Sequence, residues 1–123
     1  MKAFPLWFLL ALVAIPSAAA DGPSVAGKWK VHNSIVGNES DQDCSFTQQG
    51  KDISGTCSLE QGTAKVTGKV TDAKITWQYD TEYNGSPLTL VYTGTMDKDS
   101  KITGTVEVQP MSVNGDFTAT PSK

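Results

Sequence analysis

Two cysteines, a single histidine, a few alternating carboxylates and a row of aromatic rings are the residues of this chain that could do chemistry. Cys44 and Cys57, even with His32, are too few for a zinc site, which takes about four ligands. A disulfide needs only the pair. Glu39, Asp41 and Asp43 alternate ahead of Cys44, and Asp97 and Asp99 bracket a turn. Alternate carboxylates can gather calcium, which takes about six to eight oxygens. Neither cluster carries the glycine and distal glutamate of a dedicated calcium loop, so solvated turns are expected and no metal is assigned. His32 is expected to face solvent as a lone imidazole, without the base or orienting partner that nucleophilic chemistry needs. The abundant serines and threonines read as β-formers on an outer face. No catalytic residue and no cofactor is therefore assigned, and the chain reads as a non-enzyme.

The elements that must position these residues announce themselves by repetition. Residues 25–30, 53–58, 66–71, 92–97, 102–107 and 113–118 share one hexad, apolar-polar-Gly-polar-apolar-polar. Apolar residue, glycine and apolar residue fall on alternate positions, so they face one side of a strand while Ser, Thr, Lys and Asp face the other. The alternation predicts strands over 26–35, 43–49, 52–59, 63–71, 74–81, 88–96, 101–109 and 115–120, with residues 36–42 as a loop and no helical period. Turn-forming clusters at 49–52, 60–62, 71–73, 84–87 and 97–100 join neighbouring strands. Short links of that kind give an up-and-down order. The fold class expected is all-β: an eight-stranded antiparallel up-and-down β-barrel with one cross-strand disulfide.

Register follows from the constant sum of residue numbers in antiparallel partners. Gln48 with Ile53, Phe46 with Gly55 and Cys44 with Cys57 form one set, which sets the cysteines opposite each other. Cys57 with Val66, Gly55 with Gly68 and Ile53 with Val70 form the next, and Gly68 with Trp77 and Val66 with Tyr79 the one after. Gly94 is expected opposite Gly104. Glycine inside a strand costs about 0.5–1 kcal/mol relative to alanine, so its presence implies close approach or bending.

The inward rows predict a lining of Trp29, Val31, Phe46, Ile53, Leu59, Val66, Val70, Ile75, Trp77, Tyr79, Leu88, Leu90, Tyr92, Met96, Ile102, Val106, Val108 and Phe117, none of them charged. A barrel of this size is either filled by its own side chains or holds one small ligand. In the first reading, weightier for so short a chain, the rings are core. In the second, Trp77, Tyr79 and Tyr92, with Phe46 and Trp29, form an aromatic floor for a neutral or apolar guest.

Residues 1–20 read as a secretory signal peptide: Lys2, an apolar run over 4–15, then Ala18-Ala19-Ala20. Residues 21–123 are then a single exported domain, periplasmic or extracellular, with no membrane insertion. Beyond residue 20 stand nine lysines, no arginine and thirteen acids, a net charge of about −4 that argues against nucleic acid as a partner. An exported address also favours the Cys44–Cys57 bridge.

Gly27-Lys28-Trp29, opening the first strand of a small exported barrel, resembles the Gly-x-Trp of the calycin group: lipocalins, avidins and periplasmic metalloprotease inhibitors. The repeated Gly-Thr hexads and the ending Gly115-Asp116-Phe117-Thr118-Ala119 are similar to uncharacterised bacterial secreted barrel domains, some of which accompany hydrolases. The resemblance implies a lipocalin- or avidin-like barrel with a binding or accessory role. The lipocalin arginine partner of the tryptophan and the C-terminal helix are missing. Val31 stands where avidins carry the biotin-holding asparagine, so biotin is not implied. The expected function is an exported binding barrel holding a small apolar or neutral ligand. The alternative is protein recognition, as a peptidase inhibitor or a domain docking on a secreted hydrolase, through the tail at 21–25, residues 36–42 or Tyr83.

Overall fold

Strict alternation with tight turns leaves each strand one partner on either side, and closure supplies both. The structure, a computed structural model, describes residues 24–60 and 62–122. The expected signal peptide and tail residues 21–23 lie outside them. The strands are β1 (Gly27–Ile35), β2 (Asn38–Gln49), β3 (Asp52–Leu59), β4 (Gly62–Thr71), β5 (Lys74–Tyr83), β6 (Ser86–Met96), β7 (Ile102–Gln109) and β8 (Val113–Pro121). Each pairs antiparallel with the next and β8 returns to β1, so the sheet is a closed barrel in chain order. Closure removes the edges that would invite aggregation.

Several strands are longer than the sequence predicts. β2 begins at Asn38 rather than at 43, because Val36 and Gly37 alone make the first turn, with φ of 49° and 81°. Residues 36–42 are therefore not a loop, and Glu39 and Asp41 lie within a strand. A β-branched residue at positive φ is an outlier, so Val36 sends no turn signal. Asn84 and Gly85, at 53° and 83°, likewise turn the chain by themselves, which extends β5 to Tyr83 and starts β6 at Ser86. Both pairs fit the primed turns whose twist matches a hairpin.

Register agrees with expectation between β2 and β3, where Cys44 faces Cys57, Phe46 faces Gly55 and Gln48 faces Ile53. The disulfide is formed, with the two Cα atoms 4.0 Å apart. Between β3 and β4 the expectation fails by two residues: Cys57 faces Ala64, Gly55 faces Val66 and Ile53 faces Gly68. The pair Leu59 and Gly62 closes a tighter turn than the Glu60-Gln61-Gly62 cluster suggests. A two-residue slip keeps every side chain on its own face, so hydrophobic pattern cannot detect it. Gly55 and Gly68 are thus staggered, not paired. Gly68 does face Trp77, but the β4–β5 ladder stops at Thr67 and Gln78, leaving Val66 and Tyr79 unpaired across it. Gly94 faces Gly104 as expected.

The staggered glycines keep their purpose. A Cβ on Gly55 would run into the Ser45 carbonyl oxygen, and one on Gly68 into that of Thr76, with the Trp77 Cα 2.8 Å away. The walls beside Phe46 and Trp77 are closer than any side chain would permit. All the predicted lining residues join the core or pack against it, together with Val25, Ala64 and Ala119.

Candidate functional site

The two ends of the barrel differ. At one, Val25 is fully buried, its N–H donates to Gln48 Oε1 at 2.7 Å, and its carbonyl accepts from Trp29 Nε1 at 2.9 Å. Trp29 and the last residue of the tail thus plug this end. Val25, placed by the sequence reading in a tail available for recognition, is fixed here as a stopper. Above the plug the rings interlock: Trp77 stacks on Tyr92 at 5.0 Å, with Phe46 at 5.1 Å and Phe117 edge-on at 5.2 Å. Trp77 Nε1 is buried without a hydrogen-bond partner among the described residues. Of the expected floor residues, Trp29, Phe46, Trp77 and Tyr92 are packed together inside, and Tyr79 alone reaches the open end.

That open end carries Val36 and Gly37, Glu60, Asn84 and Gly85, and the turn at 110–112. Inside it lies a depression of about 570 Å³, crossing the barrel from β1, β2 and β3 to β5, β6 and β7. Its walls include Ile35, Leu59, Leu88, Leu90 and Val108, and its base includes Gln42 and Tyr79. A second hollow shares Leu59, Glu60, Thr81, Glu82 and Tyr83 with it and runs from the end of β3 along β5 to Asn84 and Pro87.

The base is a polar layer that sequence reading missed. Asn33 is 3% exposed among apolar neighbours. Tyr92 Oη donates to Asn33 Oδ1 at 2.9 Å, and Asn33 Nδ2 donates to Gln42 Oε1 at 3.2 Å. Gln42 Nε2 donates to the Ser58 carbonyl at 3.1 Å and to Tyr79 Oη at 2.9 Å. Burial above all, with the neighbouring Tyr79, pushes the Tyr92 hydroxyl well above its ordinary range, so it stays a neutral donor. The Tyr79 hydroxyl accepts from Gln42 and has only Tyr92 Oη, 3.5 Å away, to receive its own proton. It is the one hydroxyl of the layer that lines the depression. Asn33 shares the inward row of Trp29 and Val31, and Gln42 that of Cys44 and Phe46. That signal was readable for Asn33, and for Gln42 only once β2 begins at Asn38.

His32 does face outward, but it is not alone. Nδ1 lies 2.6 Å from Asp41 Oδ1 and Nε2 lies 2.7 Å from Glu39 Oε1, while Ser34 Oγ donates to Glu39 Oε2 at 2.6 Å. Hydrogen bonds donated to Asp41 first and Glu39 second raise the imidazole above its usual value. The Ser34 hydroxyl, then His32, lower Glu39. Both partners lie in residues 36–42, where the sequence pattern predicts a loop and the structure has the start of β2. With both ring nitrogens occupied and the serine bonded to the glutamate, the cluster has no base aimed at a nucleophile. Asp97 Oδ1 accepts from the backbone N–H groups of Asp99 and Lys101, an Asx-type turn. Among the described residues no group of three or more His, Cys, Asp or Glu side chains is placed to hold a metal ion.

The fold and this site define a closed eight-stranded antiparallel barrel, plugged at one end and cupped at the other. No protein-family model matches the chain, and no curated protein matches it. The disulfide is compatible with an oxidising compartment.

Proposed function

We propose that this is an exported, non-enzymatic binding barrel that seats a small, mainly apolar molecule in the cupped end. One observation carries the reading. A depression of about 570 Å³, with Ile35, Leu59, Leu88, Leu90 and Val108 among its walls, ends on the Tyr79 hydroxyl, whose proton has only the 3.5 Å contact to Tyr92 Oη. Its volume lies within the roughly 300–1,000 Å³ of small-molecule sites. The combination suits a guest with an apolar body and one hydrogen-bond acceptor. The rings below act as a rigid support: Trp77, Tyr92, Phe46 and Trp29 hold Tyr79 and Gln42 in place. Gly27-Lys28-Trp29 at the start of β1 supports the calycin-like reading, and the disulfide together with the N-terminal apolar run supports export.

Native mass spectrometry of freshly isolated protein, beside tryptophan fluorescence titrated with retinoids, aromatic alcohols and aromatic amines, tests this. Tyr79→Phe should weaken a carbonyl-bearing guest about fivefold to tenfold, the loss of one hydrogen bond. No bound species and no response to any titrant would refute the reading.

Protein recognition is the second reading, favoured by the exposed large hydrophobics. Val36, Tyr83 and Met111, 71%, 62% and 54% exposed, all stand at the cupped end. Inhibition assays against exported metalloproteases, with and without Ser at all three positions, separate the two. Inhibition lost in the triple variant would favour the partner protein.

A further inference from the structure

The guest's charge can be read from where the ionised groups fall along the barrel. In the half near the cup stand Glu39, Asp41, Glu60, Asp80, Glu82, Glu107 and Asp116, and Lys65 is the one lysine there among the described residues. Toward the plugged end Lys28, Lys51, Lys69, Lys74, Lys98 and Lys101 mix with Asp52, Asp72, Asp97 and Asp99, and Lys30 pairs with Asp43 near mid-barrel. The excess of acid is therefore concentrated at the cup, while the charges toward the plugged end largely offset one another. Asp41, Glu60 and Glu82 line the depression itself. Asp41 is engaged by His32, whereas neither Glu60 nor Glu82 has a cationic partner among the described residues. Tyr83 lines the same hollow and is largely exposed, and a phenol face attracts a cation within about 6 Å of the ring.

We infer that the cup selects organic cations, with an apolar body among Leu59, Leu88, Leu90 and Val108 and a positive head between Glu60, Glu82 and the ring of Tyr83. This rests on the proposal that the cup holds a small molecule, and adds the sign of its charge. The two parts of the site do different work. Apolar walls favour any greasy body, because burial is non-directional. The carboxylates and the ring distinguish heads: they attract ammonium, are indifferent to hydroxyl and repel carboxylate.

The test uses one body with three heads: phenylpropylamine, phenylpropanol and phenylpropanoate, titrated into the exported chain and followed by amide NMR shifts at low and high salt. The amine should bind about tenfold tighter than the alcohol, as expected of two partly exposed carboxylates and one cation–π contact. The carboxylate should bind weakest. Raising salt should erode the amine's advantage and leave the alcohol unchanged. Glu60→Gln with Glu82→Gln should do the same, and both sites are exposed enough for the fold to survive. An alcohol that binds as tightly as the amine would overturn this inference and leave the binding barrel standing. If none of the three shifts residues of the cup, the binding proposal falls and this one with it.

Discussion

Tyr92 and Asn33 meet inside the barrel, the phenol donating to the amide oxygen at 2.9 Å although 59 residues separate them in the chain. The bond ties β6 to β1 across the interior and carries Gln42 and Tyr79 above it. An amide this deeply buried is tolerable only because each side of it is matched.

Asn33→Ala should therefore cost about 1–3 kcal/mol, since the Tyr92 hydroxyl and Gln42 Oε1 each lose a partner. Asn33→Leu combined with Tyr92→Phe should cost less than the two single changes added, because neither polar group is then stranded. Urea unfolding of the parent chain, Asn33→Ala, the two single variants of the cycle and the double variant measures both. Strict additivity would mean that the pair does not act as a unit.

Gly68→Ala should destabilise by about 1–3 kcal/mol through overpacking. The added methyl meets the Thr76 carbonyl and the Trp77 backbone, neither of which can swing aside. Thr67→Ala, next in sequence but on the exposed face, should change stability by less than about 0.5 kcal/mol. Equal losses at the two positions would contradict the close approach as the reason for the glycine.

Reducing the bridge between Cys44 and Cys57, 13 residues apart, should lower stability by about 2–3 kcal/mol through loop-closure entropy. The barrel should stay folded, because Cys44 and Cys57 sit opposite each other by strand pairing as well. Unfolding curves with and without reductant give the difference, and far-ultraviolet circular dichroism shows whether the sheet persists.

The His32 cluster sets a pH window. His32 is raised above 6.5 in the fold, so its contribution is complete below 6.5 and lost as pH climbs through the folded value. Glu39 is lowered below 4.5, so its contribution is present above 4.5 and lost as pH falls through the folded value. The cluster is strongest between these limits. An NMR titration should place the His32 midpoint above 6.5, and Asp41→Asn should bring it down more than Glu39→Gln does. A midpoint at or below 6.5 would show that the two carboxylates do not hold the imidazolium.

Much of this barrel was readable from residue order because the alternation of side chains is a property of each strand alone. The inward row, the outward His32, the pairing of Cys44 with Cys57 and the strand count all follow from parity and short links. Parity is blind to shifts of two, so it placed Gly55 opposite Gly68 where the fold places Val66. It was blind also to a turn built on Val36, which hid residues 38–42 of β2 and with them Gln42 and the partners of His32.

What the chain order could not contain is which residues share an end of the barrel. Val36, Glu60, Tyr83 and Met111 lie in separate hairpins, and closure of β8 on β1 gathers them around one opening. The same closure sends Trp29 and Val25 to the other end as a plug, and brings Asn33 against Tyr92. Local hydrophobic pattern decides which way each side chain points. Only the assembled cylinder, where hydrogen bonding and burial are satisfied all round at once, decides what it meets.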